Sequence, residues 1–244
     1  MLRPNGQPTV TPVLATHHML EPFADTLGEV SRRRTFGLER RIGMAAKRGI
    51  DIAVAGTAVV LLLPLLLLVA AAVWMGDGKS PIFRHARLGR DGRTFGCLKF
   101  RTMVVDSEKA LAAHLASSAA ARAEWAATHK LTDDPRVTAL GRVLRKTSLD
   151  ELPQLINVLR GEMSLVGPRP IVQAEVARYG AAFQTCFAVP PGVTGLWQVS
   201  GRSDTTYEQR VALDVDYATR WSLRRDIAIL ARTVPAVFAQ RGSR

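Results

Sequence analysis

Cysteine is scarce in this 244-residue chain. Only Cys97 and Cys186 occur, far apart, so neither a disulfide framework nor a zinc site is indicated, and both are expected as idle or buried thiols of a reducing compartment. The five histidines, His17, His18, His85, His114 and His129, lack H-E-x-x-H or similar spacing, and none is assigned to metal or catalysis. Internal repeats and coiled-coil heptads are absent. Aromatic residues are 6% of the chain and do not interleave with basic ones in a docking motif, which argues against nucleic acid as the partner. Acidic residues number 21 against 33 Lys and Arg, for a net charge of +12. An excess of that size implies an anionic partner, either a membrane surface or a phosphorylated substrate.

The charge is split by an uncharged stretch. Residues 1–49 hold eight Lys/Arg against four Asp/Glu, and residues 75–244 hold twenty-five against sixteen. Between them, Ile50 to Trp74 is apolar apart from Asp51 and Thr57. As a straight helix it would reach ~37 Å, enough to span a bilayer. A single pass conflicts with the basic flanks, because Arg40, Arg41, Lys47 and Arg48 before it and Lys79, Arg84, Arg87 and Arg90 after it all favour the cytoplasmic side. Pro64 suggests a resolution. It splits the segment into two limbs, each too short to cross, that dip into one leaflet and return.

Chemistry concentrates in Leu144 to Pro170. Adjacent carboxylates, Asp150 and Glu151, have Arg145 and Lys146 upstream and Arg160 and Arg169 downstream. A carboxylate can attack phosphorus to give an acyl phosphate while its neighbour holds Mg²⁺, and arginines bind the phosphate oxygens bidentately. Pro153 places a helix start near Leu149 or Asp150, where free N–H groups and the helix dipole would keep Asp150 ionised. The same residues also fit a plainer role, since Ser148-x-x-Glu151 is a capping-box pattern.

The segment TSLDELPQLINVLRGEMSLVGPRP resembles the bacterial sugar transferase family, the monotopic polyprenyl-phosphate phosphoglycosyl transferases. The resemblance extends through KRGIDIAV from Lys47, RLGRDGRTFGCLKFRTM from Arg87, DDPRVTALGRVLRKTS from Asp133, PPGVTGLWQVSGRS from Pro190 and DYATRWSLRRDIAILARTV from Asp216. It implies Asp150 as nucleophile, Glu151 with Asp150 as the Mg²⁺ ligands, and Lys99, Arg101, Arg145, Arg169, Gln198 and Arg202 as substrate-binding residues.

Elsewhere the pattern is structural. Residues 1–46 read as a mobile basic lead-in, and residues 47–75 as the re-entrant helix. The rest, 76–244, reads as the cytoplasmic catalytic domain with membrane-surface helices. Pro81 to Met103 predicts a β-hairpin around Arg90-Asp91-Gly92, Asp106 to Lys130 one Ala-rich helix, and Val137 to Lys146 a short basic helix. Asp133 and Asp134, followed by Pro135, read as turn residues rather than a metal pair. Pro190 to Ser203 reads as a Gly-rich loop, and Tyr217 to Ala239 as amphipathic helices interrupted by Pro235. The fold class is α+β, mostly helical.

The resemblance therefore implies transfer of a sugar 1-phosphate from a UDP-sugar to undecaprenyl phosphate at the cytoplasmic face of a bacterial inner membrane. UMP is released and exopolysaccharide synthesis is primed. Inner-membrane lipids are the expected surroundings, and a homo-oligomer is left open. The rival from another class is a membrane-anchored adaptor whose carboxylates only cap helices.

Overall fold

The computed structural model describes residues 38–128, 131–201 and 205–238. Met1–Ile42 and Gly43–Arg244 are separate units, and the second carries the fold described below. Helix α1 spans Leu38–Asp77, 40 residues, and so begins inside the segment read as a lead-in. Its buried positions Lys47, Asp51, Ala55, Val69 and Val73 recur at helical spacing, with Ala58, Val59, Leu65 and Leu66 half-buried between them. One stripe therefore docks along the whole helix. Away from it, Val60, Leu61, Leu67, Leu68 and Met75 are each at least 61% exposed, more apolar surface than water tolerates. By length and composition, Arg41–Asp77 suffices to cross a membrane.

Pro64 lies inside this helix, whose assignment is continuous from Leu38 to Asp77. Proline removes one hydrogen bond, but its fixed φ is itself helical, so the helix continues past it.

The hairpin is present as expected. Strand β1 (Ile82–Leu88) pairs antiparallel with β2 (Thr94–Phe100), from Ile82 opposite Phe100 to Leu88 opposite Thr94. Asp91 at φ 57° and Gly92 at φ 74° close the turn. The Ala-rich segment is two helices rather than one, α2 (Ser107–Ser117) and α3 (Ala119–Thr128). Ser118 is extended between them, and its Oγ accepts from Ala121 N–H, a capping use of serine that competes with continuing the helix.

Next come α4 (Ala139–Thr147), a 3₁₀ turn (Leu149–Glu151), α5 (Gln154–Arg160) and β3 (Ser164–Val166). After short helices α6 (Val176–Tyr179) and α7 (Ala182–Cys186), β4 (Gly192–Thr194) pairs parallel with β3. The loop expected over Pro190 to Ser203 thus contains β4 and a short helix, α8 (Leu196–Val199). Helices α9 (Tyr207–Thr219) and α10 (Leu223–Phe238) complete the fold. Pro235 lies within α10 rather than ending it.

Both small sheets are completed by helix side chains. Asn157 of α5, fully buried, accepts from Leu98 N–H at 2.9 Å through Oδ1 and donates to Gly96 O at 2.9 Å and Glu162 Oε2 at 2.6 Å. It supplies β2 with the bonds a third strand would make. On β3, Asp51 Oδ1 accepts from Leu165 N–H at 3.1 Å and Lys47 Nζ donates to Val166 O at 3.0 Å. Lys47 also pairs with Asp226 at 2.6 Å, and Asp226 accepts from Tyr217 Oη at 2.7 Å and Trp221 Nε1 at 3.0 Å.

Asn157→Ala is expected to strand Leu98 N–H and Gly96 C=O in the interior and to lower unfolding stability by about 2–4 kcal/mol. Urea denaturation in detergent, compared with the parent chain, measures it.

Candidate active site

The nucleophile candidate is delivered by a helix stop. Thr138 Oγ1 accepts from Gly141 N–H at 2.9 Å to begin α4. Gly141 itself packs so closely that a Cβ there would lie 2.1 Å from Thr102 O, which presses α4 onto the chain leaving β2. One turn later Arg145 Nε donates to Thr102 Oγ1 at 2.9 Å. The helix ends at Ser148, whose φ of 58° is left-handed, an uncommon conformation for a non-glycine residue. That reversal throws Leu149–Glu151 into the 3₁₀ turn, while the regular helix begins only at Gln154, just after Pro153.

The capping box does not form. Ser148 makes no side-chain cap bond, and Glu151 Oε1 accepts from Lys99 Nζ at 2.6 Å. Asp150 Oδ2 lies 4.0 Å from the same ammonium. The two carboxylates and Lys99 are therefore one cluster, brought together because Asn157 fixes β2 against α5.

Asp150 is 8% exposed. Burial pushes its carboxyl up to about 6, and Glu151 adds to the rise, while Lys99 and Arg145 oppose it. Desolvation is the larger effect and works against the charge that a helix N-terminus was expected to favour. Asp150 is still mainly ionised at neutral pH.

The cleft in front of this cluster is lined by Arg87, Cys97, Lys99, Glu151, Gln154 and Arg169. Arg169 is set by backbone contact between the ends of β3 and β4. A Cβ on Gly167 would lie 2.3 Å from Pro190 O, and one on Gly192 would lie 2.0 Å from Gly167 N. From that turn Arg169 reaches the Trp197 ring at 5.9 Å to the centroid.

Lys99, Arg145, Arg169, Asp150 and Glu151 therefore gather as the sequence suggested. Arg101 does not. Strand β2 ends at Phe100, and Arg101 turns away to grip both Asp77 oxygens and to donate to Ser80 O at 3.0 Å, closing the far end of α1. Gln198 Nε2 donates to Val193 O at 3.0 Å, bracing a residue of the cleft wall. Arg202 lies outside the described residues. Asp134 accepts from Arg136 N–H at 3.0 Å and pairs with its guanidinium at 2.6 Å, the turn role expected. Cys97 and Cys186 are buried and free. Sequence reasoning missed Arg87 and Asn157, which carry no local signal beyond their strand and helix positions.

Among the described residues no group of three or more His, Cys, Asp and Glu could hold a metal. A divalent ion would rest on Asp150 and Glu151. Two carboxylates suit Mg²⁺, which takes one or two of them together with water and substrate phosphates.

The family model for bacterial sugar transferases matches residues 42–240. The chain belongs to that family. It is accordingly an enzyme, a phosphoglycosyl transferase, and the adaptor reading falls. The chain is 50% identical over 207 residues to the exopolysaccharide production protein ExoY of Sinorhizobium fredii, covering 85% of this chain and 92% of that one. It is 52% identical to the UDP-galactose-lipid carrier transferase of Erwinia amylovora, over 81% of this chain and 41% of the relative. The undecaprenyl-phosphate galactose phosphotransferase of Salmonella typhimurium is 47% identical, over 84% and 43%. This transferase thus spans nearly all of the first relative and under half of the other two.

The raised carboxyl of Asp150 has a cost in stability. Its folded value lies above the unfolded one, so the folded state binds more protons between roughly pH 4 and 6, and stability falls as pH rises through that window. Asp150→Asn is expected to stabilise the protein by about 2–3 kcal/mol at pH 7.5, with the gain vanishing towards pH 4. Denaturation midpoints across that pH range measure it.

Proposed function

We propose that this transferase moves a sugar 1-phosphate from a UDP-sugar to undecaprenyl phosphate through an aspartyl phosphosugar on Asp150, and so primes exopolysaccharide synthesis. The observation that carries the reading is the buried Asp150 carboxylate beside Lys99 and Glu151, which line a cleft together with Arg87 and Arg169. In the first step an Asp150 oxygen bonds to the sugar-bearing phosphorus as the phosphorus–oxygen bond to UMP breaks. In the second, a phosphate oxygen of undecaprenyl phosphate attacks the same phosphorus, the acyl phosphate bond breaks, and the carboxylate is restored. Three features serve this sequence. Burial makes Asp150 a less solvated and more reactive nucleophile. Lys99 and Arg145 keep it ionised against that burial. Arg169 offers a fork to phosphate oxygens.

Asp150 and Glu151 would hold Mg²⁺, which when bound supplies charge neutralisation to the diphosphate. Lys99 Nζ already lies within 4.0 Å of both carboxylates, so the pair accommodates a cation.

The acceptor lipid reaches this site from the bilayer. Support for a re-entrant α1 comes from its packing. Ahead of Pro64, Ala55 joins the core with Val158 and Ile229; beyond it, Val69 and Val73 pack on Phe100 and Leu144. A helix that meets one folded domain at both ends has both ends on that domain's side of the membrane. The basic flanks then assign that side to the cytoplasm of a bacterial inner membrane.

Detergent-solubilised protein given Mg²⁺, undecaprenyl phosphate and UDP-galactose or UDP-glucose should release UMP, and Asp150→Asn should abolish that release. UDP as the product would instead mean glycosyl transfer without an aspartyl phosphosugar. The acid limb of kcat/KM should fall near pH 6, where free Asp150 takes up its proton. Single cysteines at Arg41 and Lys79, in a background lacking Cys97 and Cys186, should both stay unlabelled by an impermeant maleimide in intact cells and both react in inverted vesicles. Labelling of only one in intact cells would mean that α1 spans.

A further inference from the structure

Arg87 enters the cleft from β1 and has no part in holding Asp150. Its guanidinium lines the cleft with Lys99 and Arg169. Nη1 donates to Pro170 O at 3.3 Å and lies 3.7 Å from Glu175 Oε2, and Nη2 lies 3.3 Å from His85 Nδ1. These contacts are long and engage only part of a group with five donors. Glu175 is held more firmly. Its Oε2 accepts from Val172 N–H at 3.1 Å, and its Oε1 accepts from Tyr207 Oη and Arg210 Nη1, each at 3.2 Å. Arg210 in turn is 9% exposed and lies over the rings of Trp197 at 4.8 Å and Tyr207 at 5.1 Å.

One carboxylate thus serves two guanidiniums. Positive charge is left facing the cleft, where Arg169 adds to it and the lining carboxylate, Glu151, is paired with Lys99. Burial and the neighbouring Arg169 both work against the Arg87 charge, so the pair of arginines is an arrangement that a bound anion relieves. Two guanidiniums thus line one cleft, and planar forks of this kind suit a phosphate.

We infer that Arg87 is a further substrate-binding residue, which with Arg169 grips the nucleotide-side phosphate of the donor, and that Glu175 is a positioning residue for Arg87. The identity of the ligand rests on the UDP-sugar reading above; the anion site itself does not. Arg87 therefore acts on the group that departs, while Lys99 and Arg145 act on the carboxylate that attacks.

The test is calorimetric titration of UMP and of inorganic pyrophosphate, each with Mg²⁺, into the detergent-solubilised full chain. Arg87→Gln should weaken both by about tenfold or more, and Arg87→Lys, which keeps charge but loses the fork, by about three- to tenfold. Glu175→Gln should raise the donor KM about fivefold with kcat within about twofold. Thermal melting confirms that each variant is folded. Unchanged binding of both anions in folded Arg87→Gln would overturn the inference, as would a parent protein that binds neither. A parent that binds pyrophosphate but not UMP would sink the uridine-nucleotide reading and leave Arg87 to be judged by pyrophosphate. A fall in kcat alone for Glu175→Gln would remove its positioning role.

Discussion

The Lys47 ammonium, buried between the Asp226 carboxylate and the Val166 carbonyl, is the contact on which the arrangement of this transferase depends. A lysine and an aspartate withdrawn from water are tolerated only when their remaining donors and acceptors are satisfied. Here Tyr217 Oη and Trp221 Nε1 complete Asp226, and the Tyr217 hydroxyl also reaches Val166 O at 2.9 Å. The cluster joins α1, β3, α9 and α10 at one point. Val166 is followed directly by the Gly167-Pro168-Arg169 turn, so the contact that seats the membrane helix also sets the arginine that faces the cleft. Anchor and site share one backbone segment.

This sharing follows from how little sheet the domain has. Among the described residues each sheet is two-stranded, too small to be stable alone or to position a side chain unaided. Asn157 completes β2 and thereby places Lys99 against Glu151; Lys47 and Asp51 complete β3. Helices with buried polar side chains replace the missing strands. The hydrogen bonds that complete the two sheets are consequently between side chain and backbone.

Much of this was legible in sequence where the signal was local. The Arg90-Asp91-Gly92 turn and the basic helix leading to the carboxylates each follow from short-range backbone preference. Their residues stand where expected. The errors are of another kind. Pro235 was read as interrupting its helix, but helical dihedrals admit proline at the loss of one bond. Lys99 and Arg101 were both assigned to substrate from the resemblance, yet β2 ends between them and Asp77 draws Arg101 aside. Ser148 matched a capping pattern that a left-handed φ cancels. Arg87 and Asn157 were missed because their partners lie 83 residues away at Pro170 and about 60 away at Leu98 and Gly96, distances that no local pattern encodes.

The protonation of Asp150 was the least legible property, because it is a difference between opposing effects of similar size. A helix start favours the charged form, and ionisation was the sequence expectation. Folding also removes the carboxylate from water, and this outweighs the cations, leaving the group near 6. The balance suits a nucleophile. A fully solvated aspartate would be ionised but stabilised by water that must be stripped before attack. One buried without Lys99 and Arg145 would hold its proton more tightly and be a poorer nucleophile. Between these limits, the carboxylate is ionised at neutral pH and poorly solvated, a state that fits the nucleophilic role proposed for it. That state depends on β2 and α4 being held against the 3₁₀ turn, which is the work of Asn157 on one side and the close approach of Gly141 to Thr102 on the other.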